Sequence, residues 1–274
     1  MEATKPDAVE FRAGQRRDWG SAAKGWHDWQ ELIVSATAGV SRRLVEIAGI
    51  QAGDRVLDVA AGSGEPALTA AQVVGPQGEI VATDISPEML AYARERAAAA
   101  GIDNVEFIEA DASSLDFPPE SFDAALSRWG IIFEPEAEAA AGRIRRFLKP
   151  GGRMAISSWG PPERVPMLAV PMRTVMTRLN VSPPPPGTPG PLSRPTSEAI
   201  AGILEEAVSP ISRSSNSRSS WSGTRRKNSR ATRRRSRRRS RPCSRTTLRT
   251  YARRRGQPLS KPYGRTPTRT EGSD

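Results

Sequence analysis

One cysteine, Cys243, and one histidine, His27, are the only thiol and the only imidazole in this 274-residue chain. A single thiol excludes an intrachain disulfide and a thiolate metal site. A single imidazole excludes histidine metal clusters and a Ser-His-Asp triad with a choice of histidines, so no metal site is expected. No apolar run of membrane-spanning length and no charged-then-apolar leader occur, and a soluble, cytoplasmic protein is the expectation. Acidic residues are missing altogether between Glu206 and Glu271. That gap divides the chain. Residues 211–274 hold 21 Lys/Arg against two acids, a net of +19, whereas residues 1–210 hold 20 basic and 28 acidic side chains, a net of −8. The overall charge of +11 therefore describes neither part.

The acidic part is long enough to bury a substantial core. Its first 50 residues read as a helical flank, with Trp19, Trp26, Trp29, Leu32 and Ile33 spaced along one face. From Arg55 onward strands and helices alternate. The apolar pattern gives strands at 55–59, 79–84, 105–109, 122–127 and 152–159, with helices at 66–74, 87–99 and 136–147 between them. Alternation of this kind implies an α/β fold with a doubly wound, mostly parallel sheet covered by helices on both faces. Residues 161–208 follow as a Pro-rich connection carrying a short helix near 167–179 and a last helix at 197–207. Four regions result: a flank at 1–50, a core at 51–160, the connection at 161–208, and a disordered Arg/Ser-rich tail at 209–274.

The chemistry concentrates at the strand ends. Asp58-Val59-Ala60-Ala61-Gly62-Ser63-Gly64-Glu65-Pro66 bends the first strand into a helix through two glycines, where a ligand can lie against bare backbone. Asp84 closes the next strand, and a carboxylate there can accept both hydroxyl hydrogens of a ribose. Ser86-Pro87-Glu88 starts the second helix beside it, a cap followed by a first-turn proline and acid. Taken alone, the glycines and Asp84 fit a nicotinamide cofactor as well as any other nucleoside.

Four signals in order narrow this choice: the Asp58–Gly64 turn, Asp84 with Ile85-Ser86-Pro87-Glu88-Met89-Leu90, Asp111-Ala112 after the third strand, and Leu148-Lys149-Pro150-Gly151-Gly152 before the fifth. In this combination, over about residues 15–207, the chain resembles the class I S-adenosylmethionine-dependent methyltransferases, and within them the ubiquinone/menaquinone-biosynthesis branch. The resemblance implies S-adenosyl-L-methionine as cofactor. Carried across by position, it implies Asp58, Gly62, Gly64 and Ala67 around the methionyl part, with Ser127 beneath it. It further implies Asp84 on the ribose, Ile85 and Met89 on adenine, and Asp111 with Ala112 at the adenine amino group. Two positions depart from the pattern: Ala60 stands where many relatives have a first glycine, and Ala67 where the quinone branch can place a threonine.

For the acceptor the resemblance implies a small, apolar, quinone- or lipid-like molecule. His27 is the one side chain whose ordinary pKa suits a general base, and its other reading is a surface residue on the first helix. Trp19, Trp26, Trp29 and Trp129 fit an apolar acceptor pocket or plain core. Two alternatives stand beside this reading: an RNA-binding or RNA-modifying enzyme using the basic tail, and an NAD-binding oxidoreductase. The net negative body opposes phosphate binding, so nucleic acid is the less favoured partner.

The tail itself reads as out of frame. Codons for Ala-Gly-Phe-Thr-Asp-Leu-Glu-Val-Glu, an acidic β-branched run of the kind the fold calls for at this point, become Ala207-Val208-Ser209-Pro210-Ile211-Ser212-Arg213-Ser214 when a single G is lost after the first codon. One such event accounts for the charge jump, the lost periodicity and the missing strands together. The final strand hairpin is then expected to be absent and the fifth strand to be an exposed apolar edge.

Overall fold

A computed structural model describes residues 7–185, 187–206 and, as backbone, 249–254. Two helices come first. α1 (Ala8–Asp28) starts on Asp7, whose carboxylate accepts from Val9 N (2.9 Å) and Glu10 N (3.0 Å). At Trp29 the backbone leaves helical geometry, and α2 (Gln30–Ala48) begins. The flank is thus two helices with different jobs. α2 buries Val40, Leu44, Val45 and Ala48 against the sheet, whereas Trp29 and Leu32 at the break are 64% and 62% exposed. The single apolar face expected over both segments does not exist, because the break at Trp29 rotates the stripe.

The alternating pattern then unfolds as β1 (Arg55–Val59), α3 (Ala67–Val74), β2 (Glu79–Asp84), α4 (Pro87–Ala99), β3 (Val105–Glu109), β4 (Phe122–Arg128), α5 (Ala137–Phe147) and β5 (Leu148–Ser158). Sheet order is β3-β2-β1-β4-β5, all parallel. Parallel strands covered on both faces must be apolar throughout. Val56, Leu57, Ile80, Val81, Leu126 and Ile156 accordingly are fully buried. α5 shows the complementary helical logic: Ala137, Ala140, Ala141, Ile144 and Phe147 fall on one stripe and bury it.

β5 enters the sheet through Lys149-Pro150-Gly151-Gly152. A Cβ on Gly152 would lie 2.9 Å from the carbonyl oxygens of Asp123 and Lys149, so this close passage admits no side chain. Lys149 Nζ binds both Asp123 oxygens at 2.9 Å, and the pairing with β4 shifts register between Phe122 and Ala124. The connection beyond β5 carries α6 (Pro166–Arg178), with no buried residue, and α7 (Ser197–Glu206), which seats Ile200, Ile203 and Leu204 in the core.

One expectation is corrected here. The backbone of β6 (Arg249–Arg254) lies antiparallel on β5, with Ile156 opposite Tyr251 and Ser158 opposite Arg249, making a six-stranded sheet. The β5 edge is therefore paired and not exposed. The physical reason is that an open strand edge presents N–H and C=O groups to any extended segment, and Thr250 and Tyr251 are good strand residues. The rest of the proposed disordered, out-of-frame tail lies outside the described residues. Among the described residues no helix is long and apolar enough to cross a membrane, and no group of His, Cys, Asp and Glu could hold a metal ion.

Candidate functional site

The carboxyl ends of the parallel strands open into one cavity of about 380 Å³, within the range of small-ligand pockets. Its polar side is assembled strand by strand. After β1 the chain turns through Ala60, held in the left-handed region (φ 59°), into Gly62 (φ 56°). A Cβ on Gly62 would meet nothing, so bare backbone faces the cavity there, while its N–H donates to Asp84 Oδ2 at 2.8 Å. Gly64 turns inward instead and packs on Leu68 and Ala93.

Asp84, at the end of β2, is 7% exposed. Ser86 N donates to its Oδ1 at 2.9 Å. Burial raises the proton affinity of this carboxyl, and the amides of Ser86, Gly62 and Ile85 pull it back toward the ionised form. Ser86 caps α4 by accepting from Met89 N (3.2 Å), which sets Met89 in the cavity wall next to Ile85. After β3, Asp111 accepts from Ser113 N at 2.7 Å, and it lines the wall with Ala112.

The fourth wall comes from α1. Arg12 donates through Nε to both oxygens of Glu134 (3.1 Å) and through Nη2 to Glu134 and Glu136, and its Nε is 3.6 Å from Asp111 Oδ2. The Glu134 hydrogen bond is the main reason its guanidinium holds its proton more tightly than usual. Trp19 on the same helix packs edge-on against Phe133 (5.2 Å) and near Trp26 (6.1 Å). On the opposite side Trp129, after β4, stacks on Trp159, after β5, at 4.2 Å and 10°. All five rings line the cavity.

Of the ten residues expected around a cofactor, Gly62, Asp84, Ile85, Met89, Asp111 and Ala112 line this cavity together. Asp58, Gly64, Ala67 and Ser127 do not; they are buried behind it. Ser127 Oγ donates to Val59 O (2.9 Å) and accepts from Ile131 N (3.0 Å), clamping β1 to the loop after β4. Ala67 starts α3. Asp58 is fully buried with neither oxygen hydrogen-bonded, and burial pushes its carboxyl up to about 8, opposed mainly by the Arg128 charge and weakly by the Ala67 amide, which lies outside bonding geometry. Spacing along a strand end cannot say which side chain faces a cavity and which supports its floor.

Two further expectations are corrected. His27 does not line the cavity; its ring stacks on that of Tyr92 (4.2 Å). Trp29 is exposed at the α1–α2 break and does not line this cavity. In turn the sequence reading missed Arg12, Glu134, Trp159 and Arg128. Only Arg128 carried a local signal, a cation ending the buried run Ala124-Ala125-Leu126-Ser127.

Residues 56–152 match the methyltransferase domain family model. Over these residues the chain resembles a methyltransferase domain. It is 38% identical over 138 residues to the ubiquinone/menaquinone biosynthesis C-methyltransferase UbiE of Pseudomonas putida, covering 48% of this chain and 54% of that protein. To the corresponding protein of Ectopseudomonas mendocina it is 39% identical over 129 residues, 47% of this chain and 50% of the relative. The chain thus spans about half the length of these curated relatives. Among solved structures, a SAM dependent methyltransferase from Aquifex aeolicus superposes with a TM-score of 0.46 at 22% identity over 61% of this chain and 78% of its own. The oxidoreductase and RNA-modifying readings find no support among these relatives.

Proposed function

We propose that this chain transfers a methyl group from S-adenosylmethionine to a small apolar acceptor of quinone or lipid type, with residues 51–160 as its cofactor-binding core. The observation that carries the reading is the meeting, in one cavity, of the Gly62 backbone, the Asp84 carboxylate and Asp111 from three successive strand ends, opposite aromatic walls. These groups fit the cofactor. Gly62 leaves space for a ligand against the backbone, and Asp84 uses each oxygen for one backbone amide, leaving acceptor capacity for ribose hydroxyls. Asp111 and the Ala112 amide offer an acceptor and a donor to the adenine edge, with Ile85 and Met89 as its apolar sides. Gly64, Ala67 and Asp58 then serve from beneath, shaping the turn.

Bound there, the cofactor supplies an electrophilic methyl on a sulfonium, and the protein's part is position and water exclusion. Trp19, Trp26, Phe133, Trp129 and Trp159 form a dry, flat-walled compartment suited to a planar apolar acceptor. The names of the curated relatives, which act in ubiquinone and menaquinone biosynthesis, favour a quinone-type acceptor within that class. His27 has no role in this reading.

Calorimetric titration of the full chain with S-adenosylhomocysteine and with NAD tests the assignment. Binding of the first and not of the second is expected, and Asp84→Ala should weaken it by about 1.5 to 3 kcal/mol, the range of a charge-assisted hydrogen bond. NAD binding without S-adenosylhomocysteine binding would overturn it.

A further inference from the structure

Arg128 is a largely covered charge for which no described residue supplies a counterion at ion-pair distance. It ends β4 and lines the cavity, and among the described residues the one hydrogen bond of its side chain is Nη1 to Thr37 Oγ1 of α2 at 2.8 Å. Its guanidinium lies over the Trp129 ring, 4.8 Å from the centroid. Nε is buried and unpartnered, as is the neighbouring Trp129 Nε1. Among the described residues no carboxylate comes within ion-pair distance of it. The acids whose charges reach it are Glu65 and Asp58. Glu65 is already taken by Arg96 (3.3 Å) and Thr69 (2.7 Å). Asp58 is pushed toward its neutral form by burial, which weakens it as a counterion.

Enclosing an unpaired cation is costly, and native structures keep such groups where a partner arrives to complete them. The Arg128 guanidinium adjoins the aromatic side of the cavity. In the sheet order, β4 and β5 lie on one side of β1, and β2 and β3, which carry Asp84 and Asp111, lie on the other. Arg128, Trp129 and Trp159 form a continuous stack reaching toward β5. A guanidinium at the head of a flat aromatic wall matches a planar molecule that carries an oxyanion.

We infer that Arg128 holds an anionic oxygen of the methyl acceptor, so that the acceptor is a planar ionised phenol or aromatic carboxylate and not a neutral hydrocarbon lipid. The inference rests on the methyltransferase reading and narrows its substrate class. Arg128 acts here as a specificity determinant, and Thr37 positions it.

The test compares 1-hydroxy-2-naphthoate with its methyl ester, titrated calorimetrically into the full chain saturated with S-adenosylhomocysteine. The acid should bind about tenfold or more tighter than the ester, as expected for a hydrogen bond to a charged group. Arg128→Met should bring that ratio to about one while leaving S-adenosylhomocysteine affinity within about twofold. Arg128→Lys, which keeps the charge and loses the planar fork, should retain an intermediate ratio, and Thr37→Val should lower it without touching the cation. Should Arg128→Met not fold, the last two variants carry the test. Equal binding of acid and ester by the unaltered protein, or failure to bind either, overturns the inference. So does a parallel loss of S-adenosylhomocysteine affinity in Arg128→Met, which would assign the anion to the cofactor's own carboxylate. Failure of the unaltered protein to bind S-adenosylhomocysteine at all is a different result, and it removes the methyltransferase reading itself.

Discussion

Asp58 is buried behind the cavity wall with neither carboxylate oxygen hydrogen-bonded. Burial holds its carboxyl up near 8, so the folded protein binds a proton there that the unfolded chain, titrating at the ordinary value of 3.8, has already released. Its contribution to stability is therefore fully present below about pH 4 and is lost as the pH rises through about 8. Asp58→Asn keeps the shape and abolishes the titration. Thermal melts at several pH values should show the unaltered protein losing stability relative to Asp58→Asn between about pH 4 and pH 8, and a constant difference between the two would refute a buried, protonated Asp58. Sequence spacing found this aspartate but assigned it to the ligand, because a motif gives the order of residues and not the side of the strand on which each emerges. Asp84, by contrast, terminates its strand where the chain turns into a capped helix, and it lines the cavity as the sequence leads one to expect.

At the scale of elements, strand and helix positions from Arg55 to Phe147 followed from apolar periodicity, because a two-sided parallel sheet leaves little freedom in composition. The α1 wall was not legible. Arg12 and Glu134 are 122 positions apart, and no local pattern announces such a pair. The Arg12 side chain is 14% and that of Glu134 6% exposed, so removing Arg12 leaves the Glu134 carboxylate in a largely dry setting with the Glu136 amide (3.0 Å) but without its cation. Arg12→Ala should speed amide exchange across residues 8–28 while leaving the β1–β5 ladders protected. A double-mutant cycle with Glu134→Ala should return a coupling of about 1 to 3 kcal/mol. Uniform exchange across α1 and the sheet in Arg12→Ala would mean that the helix is held by Trp19 and its ring contacts instead.

For the molecule as a whole, the division of charge between an acidic body and a basic carboxyl-terminal segment is the feature that the fold explains least. The out-of-frame reading makes a plain prediction: sequencing the encoding DNA near codon 208, and restoring one base there, should replace a segment devoid of acids with one that contains them. Light scattering of the restored protein should then show less self-association, and an early stop codon in that frame would end the idea. The order β3-β2-β1-β4-β5 has a consequence in time as well as in space. A chain emerging residue by residue from a ribosome presents β1, β2 and β3 first, as a half-sheet whose β1 edge, with Val56 and Leu57, stays open until β4 arrives. Only residues 110–121 separate β3 from β4, so at a synthesis rate of about 5 to 20 residues per second the sticky edge waits on the order of seconds. A topology that starts in the middle of its sheet thus keeps its most hazardous nascent surface short-lived.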